Sequence, residues 1–293
     1  MRSTRFLTAC FVILAFALPS KISLAQKNKA PFSLENLVRL METRRGNWIG
    51  FKAAVTLRSL SAENRQASCE GSLVYHRLDE KILLQCFNSE AQRLFAFKAD
   101  DRDFELYLPE QKTIFRGNIF DLEDSPEIDS HLRAQDLYRA LKPMAVPSEN
   151  IEVEVKTNGV CLLKIFRITP RGRELARKLQ VTREGDVSME LYYHPSGRPS
   201  VSIHRSNFQG LDRSGEISKE KTDFVFPFHL LIKSNSIHSK GRVLAETTLD
   251  FKNIRFFQDL TEEEFRYPRE EGIRVIEIDE LKKPAAPAGS RSE

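Results

Sequence analysis

The sequence contains few of the residues on which enzyme and metal sites are usually built. Among its 293 residues are four cysteines, six histidines and one tryptophan. No two histidines have the H-x-x-x-H spacing, and no two cysteines the C-x-x-C spacing, that hold zinc. A P-loop, a G-x-S-x-G elbow and a dinucleotide-binding glycine motif are also absent. We therefore predict no catalytic residue, no cofactor and no metal.

Two polar features are weak candidates for catalysis. His229 lies two residues after Pro227 and could act as a general base, and the run Glu262–Glu264 could supply general acids. A strand histidine that faces water explains the first feature more simply. A solvated first helical turn explains the second, because carboxylates suit the positive end of a helix dipole. We do not predict an enzyme from either.

Long apolar runs are absent except at the N-terminus. The run Phe6–Pro19 follows two arginines, and Ala25 ends a small-x-small cleavage site. This pattern is typical of a secretory signal peptide and is short for a transmembrane span. We predict that residues 1–25 are removed on export. A competing interpretation treats Leu7–Cys10 as a lipobox, which would make Cys10 a lipid-modified N-terminus.

Charge of one sign is not in large excess. The formal charge falls from +4 to +1 when the three basic residues of the predicted signal peptide are removed. The basic balance of the full sequence is therefore no indication of a nucleic-acid partner. The remaining chain is long enough to bury the core of one large domain.

Between Cys69 and Gly117, short apolar runs alternate with tight polar turns. The pattern predicts five strands: Glu70–His76, Lys81–Phe87, Arg93–Lys98, Phe104–Leu108 and Thr113–Gly117. Short strands at this spacing are typical of an antiparallel meander, and they indicate a mainly β protein.

Side chains in these strands alternate with period two, so one face of the meander is apolar. Leu73 and Tyr75 share a face with Cys69, and a hairpin about Arg77-Leu78 places Cys69 opposite Cys86. Because export implies an oxidising compartment, we predict a disulfide between Cys69 and Cys86 and an unpaired Cys161. The alternative is three buried free thiols.

Helices are predicted on both sides of this meander. The first begins after Ser33 and ends at Gly46. The segment Trp48–Arg58 then alternates as a half-buried strand, with Trp48 on its polar side. A second helix ends at Pro143, and further hairpins follow to residue 278.

Three segments of the meander also carry a family pattern. They are Gly71–Arg77, Leu94–Lys98 with the turn Asp100–Arg102, and Phe104–Pro109. They resemble the periplasmic lipoprotein carriers LolA and LolB, which have a G-x-L…R-P strand and turn followed by a D-G…Y-x-P hairpin. Leu78 and Asp101 stand where that family has proline and glycine. The similarity in pattern and order extends over Leu34–Ile278.

The resemblance implies an unclosed, strongly curved antiparallel sheet, a half-barrel, with helices lidding an apolar cavity. It implies a single LolA-like domain over residues 26–279, followed by a disordered tail over residues 280–293. The cavity lining that we expect is Phe51, Val55, Leu73, Tyr75, Leu84, Phe95, Phe97, Phe104 and Leu106. A simple packed core would use the same residues.

Arg77 occupies the position of the family's arginine, which bonds the lid backbone and holds the empty cavity shut. The resemblance therefore implies a lid-closing role for Arg77. A turn arginine that points into solvent is the alternative.

The function that the resemblance implies is a periplasmic carrier that binds acyl chains of lipoproteins or lipids for transport to the outer membrane. An inner-membrane transporter and an outer-membrane acceptor are then candidate partners, and a monomer is expected. One alternative is a periplasmic sensor or regulatory module on the same fold. Another is an envelope enzyme that acts on a lipid.

Overall fold

The computed structural model describes residues 33–119, 134–142, 146–147, 149–212, 214–218, 224–235 and 243–281. The predicted signal peptide and the alternative lipidation site at Cys10 lie outside these ranges. So do residues 282–293 of the predicted tail and the start of the second predicted helix.

One sheet of 14 strands makes up most of the described chain. The strands are β1 (Gly50–Ser61), β2 (Gln66–His76), β3 (Lys81–Phe87), β4 (Arg93–Ala99), β5 (Asp103–Leu108), β6 (Thr113–Asn118), β7 (Ile151–Val155), β8 (Cys161–Thr169), β9 (Gly172–Val181), β10 (Val187–Tyr193), β11 (Pro199–Leu211), β12 (Phe224–Asn235), β13 (Val243–Phe257) and β14 (Arg274–Glu277). Across the sheet the order is β14-β6-β5-β4-β3-β2-β1-β13-β12-β11-β10-β9-β8-β7. The sheet is therefore unclosed, with β14 and β7 at its two ends.

The five strands predicted between residues 69 and 117 are present as β2 to β6. The first hairpin is longer than predicted, because β1 continues past Arg58 to Ser61 and β2 begins at Gln66, before the predicted strand Glu70–His76. Ser59 and Ser61 are buried on alternate positions of β1. Their small hydroxyls continue the inward side of the strand, and the period-two pattern of β1 extends through them.

Two pairings join distant parts of the chain. β1 pairs antiparallel with β13, with Val55 opposite Phe251 and Leu57 opposite Leu249. β14 pairs parallel with β6. Since β1 also pairs with β2, its pairing with β13 joins the N-terminal meander β1–β6 to the C-terminal meander β7–β13 in one sheet.

The described helices are α1 (Leu34–Arg45), α2 (Ala134–Leu141) and α3 (Ile278–Leu281). Both α1 and α2 pack against β12. The short helix α3 extends two residues beyond the domain end predicted at residue 279. Of the helices in these ranges, not one has the length and apolar character that a membrane crossing requires.

Helix α1 ends at Gly46, as predicted. The Gly46 N–H donates to the carbonyls of Glu42, at 3.1 Å, and Thr43, at 3.2 Å. Its φ of +72° lies in the left-handed region, which glycine adopts most easily. The chain therefore turns sharply from α1 toward β1.

The largest core cluster lies on one face of the sheet. It gathers apolar side chains from β1–β5, from β11–β13 and from α2. Strands so far apart in the sheet order share one core only if the sheet curves around it. On the other face, Leu260, Phe265 and Tyr267 of the C-terminal segment cover part of the N-terminal meander. The predicted mainly β, unclosed and curved sheet is confirmed.

Both predictions about the cysteines are confirmed. Cys69 and Cys86 form a disulfide, with their Cα atoms 5.7 Å apart. Cys161 is a buried free thiol. The disulfide joins β2 to β3 across a sequence separation of 17 residues. Closing this loop restricts the unfolded chain and so stabilises the folded one.

The register predicted for this hairpin was wrong by two residues. Gly71, and not Cys69, stands opposite Cys86. The register follows from the four-residue turn between the strands, because His76 pairs with Lys81. Cys69 therefore reaches Cys86 diagonally on the same face, past a glycine that has no side chain in the way.

Replacing both cysteines (C69A/C86A) should lower the free energy of unfolding by about 3 kcal/mol, since loops of this length restrict the unfolded chain by about that amount. Urea denaturation of the unreduced proteins measures the difference. A reductant should bring the wild type down to the double variant and leave the double variant unchanged. Finding Cys69 and Cys86 both alkylatable in unreduced, denatured wild-type protein would contradict the disulfide.

Candidate functional site

An apolar cavity of about 540 Å³ lies on the curved face of the sheet, beneath α1 and α2. Its walls come from these helices, from the segment before β1 and from strands β1 and β11–β13. Apolar lining residues include Val38, Met41, Trp48, Phe51, Phe226 and Phe251. A cavity of this size and lining is in the range that small apolar ligands occupy.

Aromatic rings form a continuous wall of this cavity. The Phe51 ring lies 5.6 Å from that of Trp48 and 5.2 Å from that of Phe226, centroid to centroid. The Phe226 and Phe251 rings are 5.2 Å apart. All three pairs meet edge to face, the arrangement that aromatic quadrupoles favour. The wall is therefore made of apolar rings that contact one another directly.

Arg77 ties the end of α1 to the turn between β2 and β3. Its Nη1 donates to the carbonyl of Gly46 at 3.0 Å and to that of Trp48 at 3.4 Å. The guanidinium also lies over the Trp48 ring, 5.6 Å from its centroid. Arg77 thus contacts the backbone between α1 and β1 and lines the cavity.

Glu80, in the same turn, contacts α2. Its carboxylate accepts a hydrogen bond from the Tyr138 hydroxyl at 3.2 Å and forms an ion pair with Lys142. Burial, followed by the charge of Glu80, raises the pKa of Tyr138, so the phenol stays protonated as a donor. Glu80 has a φ of +51°, which is uncommon for a residue other than glycine. One four-residue turn therefore contacts both α2 and the backbone just beyond the end of α1.

A second contact fixes α1 on the turn between β9 and β10. Arg44 donates from Nε and Nη2 to the carboxylate of Asp186, at 3.0 and 2.9 Å. This bond raises the pKa of Arg44. Gly185 allows the close approach, since a Cβ there would lie 2.6 Å from Cγ of Leu40.

Buried charges lie beneath α2. Glu190, with a side chain only 1% exposed, accepts from Arg205 at 3.1 Å and also pairs with Arg177. Arg205 donates to the carbonyl of Ala140 in α2, at 3.2 Å. Because a buried carboxylate without cationic partners would be costly, this network holds α2 in one position over the sheet.

The structure separates the nine expected lining residues into two groups. Phe51 lines the cavity. The other eight lie in or against the core cluster to which Phe51 also belongs, and they are not among the cavity-lining residues: Val55, Leu73, Tyr75, Leu84, Phe95, Phe97, Phe104 and Leu106. All share the predicted apolar face. Among the described residues, α1 and α2 both pack against β12, which the pairing of β1 with β13 brings into the same sheet as β2–β5.

Several cavity residues were missed in the sequence. Trp48 was assigned to the polar side of a strand, but it precedes β1 and its side chain is only 8% exposed. Phe226 and Phe251 also line the cavity and were not among the nine expected lining residues. The glycine at position 46 could have indicated this, because it marks a turn just before Trp48. The inward and outward alternation of side chains in β1 therefore does not extend back to Trp48.

No protein-family model and no curated protein matches this sequence. Solved structures do. One is a domain described as a candidate outer membrane lipoprotein-sorting protein from Vibrio parahaemolyticus, with 14% identity and a TM-score of 0.52 over 78% of this chain and 94% of that one. Another is a LolA superfamily protein from Nitrosomonas europaea, with 13% identity and a TM-score of 0.50 over 80% and 97%. This chain has a LolA-like fold.

A DUF1329 family protein from Desulfovibrio piger shares the fold as well. It is 12% identical, with a TM-score of 0.51 over 79% of this chain and 94% of that one. At sequence identities of 12–14%, the similarity to these three structures is a similarity of fold.

Replacing Arg77 by leucine should loosen α1 without unfolding the sheet, because Arg77 bonds only the backbone beyond the helix end. Hydrogen bonds to a charged group contribute about 1.5–3 kcal/mol, so the equilibrium between open and closed helices should shift about 10-fold or more. Trp48 is the only tryptophan of the chain. Acrylamide quenching of its fluorescence should therefore increase in R77L.

The matched control is Arg171→Leu, which removes an exposed arginine from the turn between β8 and β9. It should leave Trp48 as protected as in the wild type. Unchanged quenching in R77L, with an intact thermal transition, would show that Arg77 does not hold α1 closed.

Proposed function

We propose that this protein is a periplasmic carrier that holds an acyl chain of a lipid or lipoprotein in the cavity under α1 and α2. The observation that carries the proposal is the aromatic wall that Trp48, Phe51, Phe226 and Phe251 form along a cavity of about 540 Å³. The LolA-like fold supports it, because two of the similar structures are described as lipoprotein-sorting or LolA superfamily proteins.

Binding in such a site needs no covalent chemistry. Each methylene that leaves water contributes about 0.8 kcal/mol, so a long acyl chain would be held tightly and would dissociate slowly. Release then requires the helices to move. The polar contacts of Arg77, Glu80 and Arg44 lie at the edges of the helices, where a partner protein could replace them.

The proposed location is the periplasm. A disulfide between Cys69 and Cys86 persists in an oxidising compartment, and the predicted signal peptide is consistent with export. The proposed partners are an inner-membrane transporter that loads the carrier and an outer-membrane acceptor that unloads it. We propose that the carrier acts as a monomer and not as an enzyme.

Substitution of one helix residue should separate ligand binding from stability. Val38 is half-buried in α1 and lines the cavity. Valine and asparagine have similar helix propensities, so Val38→Asn should change stability little. The buried amide should nevertheless weaken binding of a fluorescent fatty acid about 10-fold, because it leaves a polar group against the chain.

Leu84→Asn is the comparison variant. Leu84 is fully buried in the core cluster and does not line the cavity, so its replacement should lower the free energy of unfolding by about 1–3 kcal/mol or more. Wild-type protein that binds no fluorescent acyl probe after its own lipids are stripped would overturn the proposed function. Native mass spectrometry of protein from its own envelope distinguishes the alternatives: co-purifying lipid supports the carrier, and a stoichiometric protein partner supports the sensor.

A further inference from the structure

We propose that the cavity holds one acyl chain of about 18 carbons, and that the further chains of a phospholipid or a lipoprotein do not fit beside it. The ligand class is then a single-chain lipid, a free fatty acid or a lysophospholipid. The inference rests on the proposed function, because it assumes that an acyl chain occupies the cavity. It adds the number and the length of the chains.

The volume of the cavity limits its ligand. A water molecule takes up about 30 Å³ in the liquid and a methylene group is of similar size, so a cavity of about 540 Å³ has room for about 18 methylene groups. Two chains of this length would need about twice the volume, because chains in a protein interior pack as closely as its side chains. The cavity volume therefore matches one chain.

The part of the curved face under β2–β5 is filled by the protein itself. Leu73, Leu84 and Phe97 are completely buried there. They belong to one core cluster with Leu137 and Tyr138 of α2. A close-packed core of this kind does not admit another chain unless its side chains move apart. A second acyl chain therefore has no equivalent space beneath these strands.

Helix α1 bounds the cavity on the side of the C-terminal meander. Leu37 of α1 is fully buried in a separate cluster with Leu163 of β8 and Leu179 of β9. The turn between β9 and β10 lies against the same helix, where a Cβ on Gly185 would lie 2.6 Å from Cγ of Leu40. The cavity can widen on this side only if α1 separates from both contacts.

Buried polar contacts fix α2 in the closed state. Ser234 of β12 donates a hydrogen bond to Asp136 of α2, and both side chains are buried. Arg205, which pairs with the buried Glu190, donates to the carbonyl of Ala140 at 3.2 Å. Lifting α2 would leave these buried groups without partners, which is unfavourable. The closed positions of the two helices therefore set the volume.

The test measures the affinity of saturated fatty acids from ten to twenty-two carbons long. Each displaces a fluorescent acyl probe from the stripped, full exported chain, at concentrations below micelle formation. Affinity should rise about 4-fold with each methylene that enters the cavity and should level off near 18 carbons. Native mass spectrometry with excess palmitic acid should show one fatty acid bound per protein molecule.

Two substitutions of Val38 should move this limit in opposite directions. Val38→Phe enlarges a lining side chain by about four carbons and should shorten the longest chain that gains affinity by about four carbons. Val38→Ala should lengthen it by about two carbons, for the same reason. Val155→Phe is the matched control, because Val155 at the end of β7 is 50% exposed and is not among the lining residues.

A limit near 18 carbons that V38F shortens and V155F leaves in place supports the inference. Repeating the series with lysophospholipids distinguishes the sources: the same limit supports a chain held whatever its headgroup, and binding of the fatty acids alone supports a free fatty acid. Affinity that still rises at twenty-two carbons, two or more palmitic acids per protein, or a limit that both V38F and V38A leave unchanged overturns this inference and leaves the carrier proposal standing. Failure of every chain length to bind overturns both.

Discussion

The pairing of β1 with β13 is the contact on which the rest of the structure depends. It joins two meanders, each built from neighbouring hairpins, into one sheet of 14 strands. It places Val55 opposite Phe251 and Phe51 opposite Phe256, so the aromatic side chains of both meanders meet on one face. Without this pairing, Phe226 and Phe251 would not lie beside Phe51 in the wall of the cavity. Such long-range pairings form late, because the entropy of closing a large loop must be overcome first.

The turn between β2 and β3 gives the cavity its polar end. Arg77 contacts the backbone beyond α1. Glu80 contacts Tyr138 in α2 and Lys142, which directly follows α2. Apolar packing alone is non-directional and would allow the helices to slide over the aromatic wall. The polar contacts are directional, so each of them favours one position of the helix over the wall. A lid held in this way can be both well ordered and readily opened.

Local patterns in the sequence predicted much of the fold. The alternation from Cys69 to Gly117 located five strands, and Gly46 located the end of α1. The disulfide was also predictable, because both cysteines lie on the same face. Its diagonal geometry was not, since the register depends on the number of residues in the turn, and here the turn has four.

The site was harder to predict than the fold. Alternation showed which face is apolar, but it could not show which part of that face the helices leave open. Leu84 and Phe97 share the face and the core cluster of Phe51, and yet only Phe51 of the three lines the cavity. The distinction is set by where α1 and α2 lie on β12. Trp48 was misassigned because a glycine in the left-handed region interrupts the alternation just before it.

The most direct test of the central claim, that an acyl chain lies in this cavity, uses Trp48 as a contact probe. A bromine atom quenches tryptophan fluorescence only when the two are close, and this chain has no other tryptophan. A fatty acid brominated at mid-chain should quench Trp48 at stoichiometric concentration, whereas the same acid without bromine should bind equally well and leave the emission bright. Equal emission with the two acids, both bound, would show that the chain lies elsewhere and would contradict the account.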